Sequence, residues 1–283
     1  MTEKDLNLIP DQRREKLIRL LHRDNVLSVA QLVELLDVSH MTVRRDIAAL
    51  ERDGRAYSVP GGVRLVSSLR EEPPFASKAV SEQAEKAAIA RAAETLLHDE
   101  MTVYLDAGTT TGALVPAIRE RRGMTVVTND YVIVNHLTGS MDVEVIHTGG
   151  RLDHINRSTV GRLAAETLKR LNTDLAFISA SSWDLNRGVT TPSEAKVEVK
   201  LAALDGAAES VLVATSSKFG TFGMYDIAPL RRFDHIITDD GLPAAAARGI
   251  RDLGVELDLG PAGGSAATTG ADDRFAAGGS SLS

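Results

Sequence analysis

Residues 28–64 constrain the fold of this chain most, because two short helical patterns there are separated by only three residues. Ser28 is a favourable N-cap directly before the first pattern, and Ser39 can cap the second. The apolar positions of the first helix, spaced for one helical face, are Ala30, Val33 and Leu36. Two capped helices with a tight turn between them predict a helix-turn-helix.

The second helix has two contrasting faces. Its apolar stripe, at i, i+4 and i+7, is Val43, Ile47 and Leu50. At about 100° per residue, the opposite side carries Met41, Arg45 and Arg52, and we expect the small residues Ala48 and Ala49 beside them. Small side chains let a helix enter the major groove, and arginine bonds guanine edges or phosphates. The alternative is an ordinary solvated helix face with two arginines.

The flanking residues favour the DNA interpretation. Residues 55–65 read as two short strands joined by Pro60-Gly61-Gly62, a hairpin with basic ends that suits the DNA backbone. The predicted DNA-contacting residues are Ser39, Met41, Thr42, Arg44, Arg45, Arg52, Arg55, Gly61, Gly62 and Arg64.

This region resembles a known family. The pattern Ser39-x-x-Thr42-Val43-Arg44-Arg45-Asp46-Ile47, followed by Pro60-Gly61-Gly62, is similar to the reader domain of the DeoR family of bacterial transcriptional regulators. The family usually has histidine where this chain has Pro60, which removes one polar group but leaves the turn plausible. The resemblance implies an α+β winged helix-turn-helix over residues 8–66.

Charge is distributed unevenly along the chain. The formal net charge is −7, but residues 1–70 carry +2 and the remainder −9. A local basic stripe matters more for phosphate contact than the overall charge. The absence of cysteine excludes disulfides and zinc–thiolate sites, and it suits a reducing cytoplasm. We see neither a signal peptide nor a span-length apolar run, so we expect a cytoplasmic protein without membrane association.

The second half alternates between strand and helix patterns, which predicts an α/β fold with a mostly parallel sheet over residues 81–259. The expected strands are 102–105, 125–128, 143–147, 175–179, 211–214, 235–238 and 255–259. The expected helices between them are 111–120, 131–137, 160–171, 193–208 and 242–252. Residues 67–80, stiffened by Pro73-Pro74, are expected to be a linker, and the Gly/Ala/Ser-rich residues 260–283 a disordered tail.

Two loops that follow predicted strands suggest an anion pocket. Residues 106–112 combine a glycine turn with three threonines, and residues 216–220 contain Lys218. Open α/β sheets bind ligands beyond the carboxyl ends of their strands, so Lys218 is expected to meet a phosphate held by Thr109 and Thr110. The first loop is neither a Walker A loop nor a dinucleotide fingerprint. Ordinary capping of turns remains the alternative for each loop by itself.

The family resemblance extends over residues 10–258. Asp106-x-Gly108-Thr109-Thr110, Thr128-Asn129, Gly149-Gly150, Asp174-x-Ala176-Phe177-Ile178, Glu198-Val199-Lys200 and Ser217-Lys218-Phe219-Gly220 are similar to the DeoR sensor domain. That domain resembles ribose-phosphate isomerases in fold and binds phosphorylated sugars or related metabolites. The effector residues this implies are Asp106, Gly108, Thr109, Thr110, Thr128, Asn129, Gly149, Gly150, Asp174, Glu198, Lys200 and Lys218.

Two departures from the family bear on effector identity. Thr215 stands where the family usually has Asp, and Ser179–Asp184 stands where it often has a Gly-rich turn. Trp183, in that second segment, either stacks on a ligand or packs in the core.

We expect a sequence-specific DNA-binding regulator, a repressor of a carbohydrate operon controlled by a phosphorylated sugar, with no catalytic residues, cofactor or metal. One winged helix offers few base contacts, so a homo-oligomer, dimer or tetramer, on double-stranded operator DNA is expected.

One alternative is a phosphosugar isomerase-like enzyme with an appended DNA-binding domain, because carboxylates are available as a base. Another is a regulator whose degenerate pocket responds to a protein partner. His136, His147 and His154 lack ligand-like companions, which argues against a metal.

Overall fold

The computed structural model describes residues 8–24, 26–59 and 61–262. The predictions for Pro60 and for the tail beyond residue 262 therefore concern residues outside the described part of the chain.

The N-terminal domain is a winged helix-turn-helix, as predicted. Its elements are α1 (Pro10–Asp24), β1 (Val26–Leu27), α2 (Val29–Leu36), α3 (His40–Arg52), β2 (Ala56–Val59) and β3 (Gly62–Leu65). The three strands pair antiparallel in the order β1-β3-β2, and β2 and β3 are the two strands of the wing.

Local capping sets where α2 and α3 begin. The Ser28 hydroxyl accepts the Gln31 N–H at 3.2 Å while the Gln31 side chain accepts the Ser28 N–H at 2.8 Å, which makes a capping box. The Ser39 hydroxyl accepts the Thr42 N–H at 3.2 Å. Asp37 ends α2 in the left-handed region with φ 52°, which turns the chain into α3.

The core of this domain contains the predicted apolar stripe of α3, but the buried face of α2 differs from the predicted one. Val43, Ile47 and Leu50 are buried, whereas Ala30 is exposed and Leu32 is fully buried in its place. Burying a leucine removes more apolar surface from water than burying an alanine, so the larger side chain takes the core position. Ala49, expected beside the outer face, is also buried.

An ion pair between α1 and α3 lies beneath the reading helix. Arg13 binds the Asp46 carboxylate through two nitrogens, one of them Nη2 at 3.0 Å from Oδ1. The side chains are only 11% and 3% exposed. The pair orients α3 against α1, and Asp46 is consequently unavailable to DNA.

The second domain is a three-layer α/β/α structure. Its helices are α4 (Phe75–Val80), α5 (Gln83–Ala93), α6 (Thr109–Gly112), α7 (Val115–Arg119), α8 (Tyr131–Leu137), α9 (Arg162–Leu168), α10 (Val197–Asp205) and α11 (Ala244–Asp252). Short 3₁₀ turns are Glu94–Leu96, Glu194–Lys196, Ser216–Lys218 and Leu230–Arg232. Its strands are β4 (Ser67–Ser68), β5 (Thr102–Leu105), β6 (Met124–Thr128), β7 (Val143–His147), β8 (Arg151–Asp153), β9 (Ser158–Val160), β10 (Thr173–Ser179), β11 (Ser182–Asp184), β12 (Gly188–Thr191), β13 (Ala207–Val213), β14 (Thr221–Phe222), β15 (Tyr225–Ala228), β16 (His235–Asp239) and β17 (Glu256–Gly260).

The seven strands predicted from the sequence form one parallel sheet in the order β17-β16-β13-β10-β5-β6-β7. Both faces are covered: Ala176 and Ile178 of β10 face one apolar layer, and Leu175 and Phe177 face the other. Strands buried on both faces explain the continuous apolar patterns in the sequence. The loops that follow β5, β6, β10 and β13 therefore meet at one edge of the sheet.

Some predicted elements differ in extent. The single helix expected over 111–120 is two short helices, α6 and α7, because Pro116 supplies no backbone N–H at that point. The helix expected over 193–208 ends at Asp205, since β13 already begins at Ala207. The short β8–β9 hairpin and the strands β11, β12, β14 and β15 carry too little pattern to be recognised.

The segment 67–80 packs along the second domain. Ser67 and Ser68 pair in parallel with Thr221 and Phe222, and the Phe75 N–H donates to the Ile155 carbonyl at 2.9 Å. Helix α4 begins directly after Pro74, where a proline no longer interrupts helical hydrogen bonding. The connection between the domains is therefore held by backbone hydrogen bonds.

Removal of the Asp46 charge is expected to destabilise the N-terminal domain. Asp46→Asn leaves the partly buried Arg13 guanidinium without its ionic partner, which should cost roughly 1–3 kcal/mol of unfolding free energy. Calorimetry of the full-length protein should show a lower melting temperature for the N-terminal transition. The matched control is Asp53→Asn, an exposed acid at the end of the same helix, and equal melting temperatures for the two variants would contradict the assignment.

Candidate DNA-binding surface and effector pocket

The outer face of α3 is open to solvent near its N-terminus. Met41 is 71% exposed, and Arg44 and Arg45 are also exposed. The hydroxyls of Ser39 and Thr42 lie 2.9 Å apart at the cap, which places both at the end of the helix that a major groove would receive. These five predicted contact residues therefore lie together on one surface.

The wing carries two further basic residues, Arg55 at its base and Arg64 on β3, and both are exposed. Arg55 lines a depression together with Ile18 of α1 and Phe222 of the second domain, so the structure does not place it with Arg44 and Arg45. Gly61 has φ 89°, a backbone conformation that favours glycine. Gly62 is required for a different reason: a Cβ there would lie 2.4 Å from the Leu27 carbonyl oxygen. Gly62 thus serves the packing of β1 against the wing.

Arg52 occupies a different environment from Arg45. With Ala48 and Glu51 it lines a cleft of about 340 Å³ between the two domains, opposite Leu185 and Ala246 of the second domain. The C-terminal end of α3 therefore faces the second domain, whereas its N-terminal end is the part available to DNA.

The candidate effector pocket is organised around the buried carboxylate of Asp106, at the end of β5. Asp106 forms an ion pair with Lys200 of α10 and accepts two hydrogen bonds from Ser179, from N at 2.9 Å and Oγ at 2.7 Å. Lys200 also donates to the Ser179 carbonyl at 2.7 Å. The network joins the ends of two adjacent strands to α10 and fixes the Lys200 ammonium group at the pocket.

The loop after β6 completes one wall. Asn129 accepts hydrogen bonds from the Tyr104 hydroxyl at 2.9 Å and the Ala107 N–H at 3.0 Å. Thr128 donates to the Leu105 carbonyl at 2.7 Å. Asp130 accepts the Gly108 N–H at 3.1 Å, and burial raises its pKa to about 6 despite its hydrogen bonds to backbone N–H groups. Thr128 and Asn129 therefore shape the loop that carries Gly108.

Lys218 approaches the same region from the loop after β13. Its ammonium group donates to the Ala180 carbonyl at 2.8 Å. Burial, together with the positive charge of Lys78, lowers the pKa of Lys218 to about 8. Thr109 and Thr110 open α6 in the neighbouring loop, with Thr110 buried.

The structure does not bring every predicted effector residue to this pocket. Asp174 lies at the opposite end of β10, where its carboxylate accepts the Thr102 N–H at 2.7 Å. Glu198 is exposed and lines a separate surface depression with Arg151 and Tyr225. Gly149 and Gly150 follow β7 with φ 65° and 112°, further along the same sheet edge. Asp174 and Glu198 are therefore not part of this pocket.

Four residues that sequence reasoning missed also belong to the region. Lys78 and Lys196 both form ion pairs with Glu72, and Ser158 is buried against Asp106 and Lys196. The Ser158 hydroxyl has no hydrogen-bond partner among the described residues. The sequence carried only a weak indication of Lys78, which follows Pro73-Pro74, and of Lys196, which precedes α10. A lysine next to a loop is ordinarily solvated.

The two departures from the family pattern have structural explanations. Thr215 donates to the Glu82 carboxylate at 3.2 Å, so Glu82 supplies a negative group beside that position. Trp183 is fully buried, lies edge-on to Phe219 with ring centroids 5.0 Å apart, and donates to the Thr215 carbonyl at 3.3 Å. Trp183 is accordingly a core residue.

Comparisons with known proteins agree with this architecture. A model of the DeoR-like helix-turn-helix domain matches residues 13–69, and a model of the DeoR C-terminal sensor domain matches residues 81–240. An uncharacterized HTH-type transcriptional regulator of Haemophilus influenzae is 43% identical over 89% of this chain and 98% of its own length. The lactose phosphotransferase system repressor of Lactococcus lactis is 31% identical over 81% of this chain and 91% of its own length.

Among solved structures, ribose 5-phosphate isomerase A from Neisseria gonorrhoeae matches at 14% identity and a TM-score of 0.35, over 49% of this chain and 55% of that one. A likeness at this level carries no argument about activity.

A winged helix-turn-helix joined to an α/β sensor domain defines a two-domain transcriptional regulator. The chain belongs to the DeoR family of transcriptional regulators. Both matching models describe DNA-binding and sensor domains, and the relatives are named regulators or repressors. These comparisons confirm the expectation of a regulator over that of an isomerase-like enzyme.

Within the described residues, no helix is long and apolar enough to cross a membrane. Nor does any group of three or more His, Asp or Glu side chains in that part of the chain come together as a metal site.

Arg45 and Arg64 are expected to contribute differently to DNA binding. Arg45→Ala should cost roughly 1–3 kcal/mol of specific affinity, the loss expected if this exposed arginine contacts a base edge. Arg64→Ala should weaken all sequences alike and reduce the salt slope by about one, as expected for a phosphate contact. Fluorescence anisotropy with the upstream DNA of the gene and with scrambled DNA, at several salt concentrations, measures both.

The control for these variants is Arg119→Ala, an exposed arginine in the second domain, which should bind like wild type. An Arg45→Ala protein with unchanged specific affinity would refute the assignment of the reading face.

Proposed function

We propose that this protein represses a carbohydrate operon and that a phosphorylated sugar, bound at the Asp106–Lys200 pocket, controls its affinity for operator DNA. The observation that carries the proposal is the concentration of ammonium groups at one edge of the sheet. The lysines concerned are Lys78, Lys86, Lys196, Lys200 and Lys218. The carboxylates that face them are Glu72, Glu82, Glu85, Asp106 and Asp130.

Individual roles follow from the contacts. Lys200 is already paired with Asp106, so it contributes a positioned positive charge. Lys218 makes one hydrogen bond among the described residues, to Ala180, and an ammonium group carries three protons. Two donors therefore remain for a phosphate oxygen, and the hydroxyls of Thr109 and Thr110 lie in the adjoining loop.

The sugar assignment draws support from the relatives. One relative is a lactose phosphotransferase system repressor, and its name associates the family with sugar metabolism. Paired half-sites would multiply the few base contacts of one winged helix, so we propose a dimer or tetramer on double-stranded DNA, acting in the cytoplasm. The proposal is tested by measuring operator affinity in the presence of a panel of sugar phosphates and their unphosphorylated sugars.

Loss of the Lys218 ammonium group is expected to separate sensing from DNA binding. Lys218→Ala should abolish the effect of a sugar phosphate on operator affinity while effector-free affinity stays near the wild-type value. Lys169→Ala, which removes an exposed lysine at the C-cap of α9, is the matched control and should respond normally. A full response in Lys218→Ala would exclude this lysine from the pocket.

The pH dependence of effector binding provides a second measurement. The phosphate monoester acquires its second charge near about pH 6, and Lys218, whose pKa burial lowers to about 8, loses its charge above that pH. Affinity measured by calorimetry should therefore be highest between about pH 6 and 8, and fall by at most about tenfold per pH unit above it.

Lys218→Arg is the control for the alkaline decline, since an arginine stays charged throughout this range. If this variant shows the same decline with the same midpoint, Lys218 is not the titrating group.

A further inference from the structure

Glu72, in the segment that joins the two domains, is held as an anion inside the basic region. Its carboxylate pairs with Lys78 through Oε1 and with Lys196 through Oε2. The Ser181 hydroxyl donates to Oε2 at 3.0 Å. All three charged side chains are almost buried, with 12%, 14% and 10% of the Glu72, Lys78 and Lys196 side chains exposed.

Charge, and not burial, keeps Glu72 ionised. Burial alone would raise the pKa of Glu72, but the positive charges of Lys196 and Lys78 outweigh it and hold the pKa well below its ordinary value. The group that occupies this position is therefore a carboxylate at any physiological pH. Two ammonium groups and a hydroxyl around one anion are also the donors that a phosphate oxygen cluster requires.

Lys78 has contacts besides Glu72, and the backbone that carries Lys196 is held by another part of the chain. Lys78 also donates to the Asn156 side chain at 2.8 Å, and its own carbonyl accepts from Lys86. Lys196 ends a 3₁₀ turn whose Ala195 carbonyl accepts the Gly161 N–H at 2.8 Å. The Lys78 ammonium group and the backbone of Lys196 therefore keep contacts if the Glu72 carboxylate moves away.

Lys196 also connects this position to the effector pocket. It lines the crevice formed by Asp106, Asn129, Ser158 and Lys200, while its ammonium group binds Glu72. The Glu72 position is thus continuous with the pocket and does not lie on a separate surface.

Lys218 binds the Ala180 carbonyl, one residue before Ser181, so it borders the same position. We propose that Lys78, Lys196 and Ser181 form, beside Lys218, an anion subsite for the phosphate of the effector, and that Glu72 is its internal occupant, displaced when the effector binds. The inference rests on the proposed function for the identity of the effector, but the subsite itself is defined by the contacts of Glu72. With an internal competitor, the apparent affinity equals the intrinsic affinity multiplied by the fraction of molecules in which the subsite is free.

Displacement of Glu72 would reach the DNA reader through the chain itself. Four residues before Glu72, β4 pairs with β14, and the preceding Val66 N–H donates to the Arg55 carbonyl at the base of the wing at 3.0 Å. The Leu69 N–H donates to the Phe222 carbonyl at 2.7 Å and the Phe75 N–H to the Ile155 carbonyl at 2.9 Å, and Glu72 lies between these two attachments. Release of Glu72 removes its contacts with Lys196 and Ser181, which hold the middle of this segment to the second domain. The effector would then bind with different contacts to two arrangements of this segment, one with Glu72 in the subsite and one with Glu72 released. Such a difference in contacts is what coupling between two sites requires.

The test uses full-length protein and inorganic phosphate as the probe. Glu72→Gln keeps the size of the side chain but removes the competing charge, so its affinity for phosphate, measured by calorimetry at neutral pH, should increase by at least about tenfold over wild type. The matched control is Glu71→Gln, the exposed neighbour with the same change in charge, which should bind phosphate like wild type.

A second substitution locates the gain. In the double variant Glu72→Gln with Lys196→Met, the additional phosphate affinity should disappear, because one of the two ammonium groups is gone. A folded Glu72→Gln protein that binds phosphate no more tightly than wild type would overturn the proposal. So would a gain that Lys196→Met leaves intact.

If Glu72→Gln fails to fold, as judged by circular dichroism, hydrogen–deuterium exchange on the wild-type protein decides. Saturating phosphate should accelerate exchange of the Leu69 and Phe75 amides, whose N–H groups donate to the Phe222 and Ile155 carbonyls at the two ends of this segment, and leave β10 unchanged. Unaltered exchange at Leu69 and Phe75 would show that Glu72 is a static structural partner and would refute the displacement.

The outcomes also separate this inference from the proposed function. Increased phosphate affinity in Glu72→Gln, with no sugar phosphate altering operator binding, would retain the subsite and reject the sugar-phosphate effector. A sugar phosphate that controls operator binding in wild type, with no gain in Glu72→Gln, would retain the function and reject the subsite.

Discussion

The matching of buried ammonium groups with carboxylates, at the carboxyl edge of the parallel sheet, is the constraint on which the rest of this structure depends. A buried charge without a partner is costly, whereas a paired and hydrogen-bonded one is tolerated. Lys200 is matched by Asp106, and Lys78 and Lys196 share Glu72. Each set of pairs joins different parts of the chain. The Asp106–Lys200 pair joins β5 to α10, and the pairs of Glu72 join the interdomain segment to the second domain.

The reader domain is connected to this edge by packing as well as by the covalent chain. Tyr57 of the wing lies edge-on to Phe219, at 5.9 Å between ring centroids, and Phe219 lies against the buried Trp183. Phe219 directly follows Lys218, and the Ser67 N–H donates to the Gly220 carbonyl at 3.1 Å. A movement in the Lys218 loop therefore has direct contacts through which to reach the wing.

This arrangement also explains why one end of α3 differs from the other. The N-terminal turns carry exposed Arg44 and Arg45, while Glu51 and Arg52 at the C-terminal end line the cleft toward the second domain. The orientation of the reading helix thus depends on the domain contact. A shift of the interdomain segment would change how that helix is presented without unfolding either domain.

The sequence by itself determined the winged reader and the parallel sheet, because both follow from local rules. The Ser28 and Ser39 side chains each cap a helix by accepting an amide three residues further on. The central strands of the sheet are nearly continuous apolar runs, and strand patterns alternate with helix patterns along the chain. Asp106 and Lys218 were predicted because each follows a strand end, and Lys200 because its motif resembles the family's sensor domain. Asp174 belongs to the same sequence motif as residues 176–178, so the resemblance assigned it to the pocket. The strand β10 is seven residues long, however, and its two ends lie at opposite edges of the sheet.

Only the tertiary structure decided what the buried charges do. Arg13 and Asp46 are 33 positions apart, and Glu72 and Lys196 are 124 positions apart, so no local pattern relates them. The sequence shows Glu72 as one acid in a proline-containing connection, where a solvated charge is the ordinary expectation. Its partners are set by the packing of α4, the 3₁₀ turn before α10 and the loop after β10, and that packing exists only once the sheet has formed.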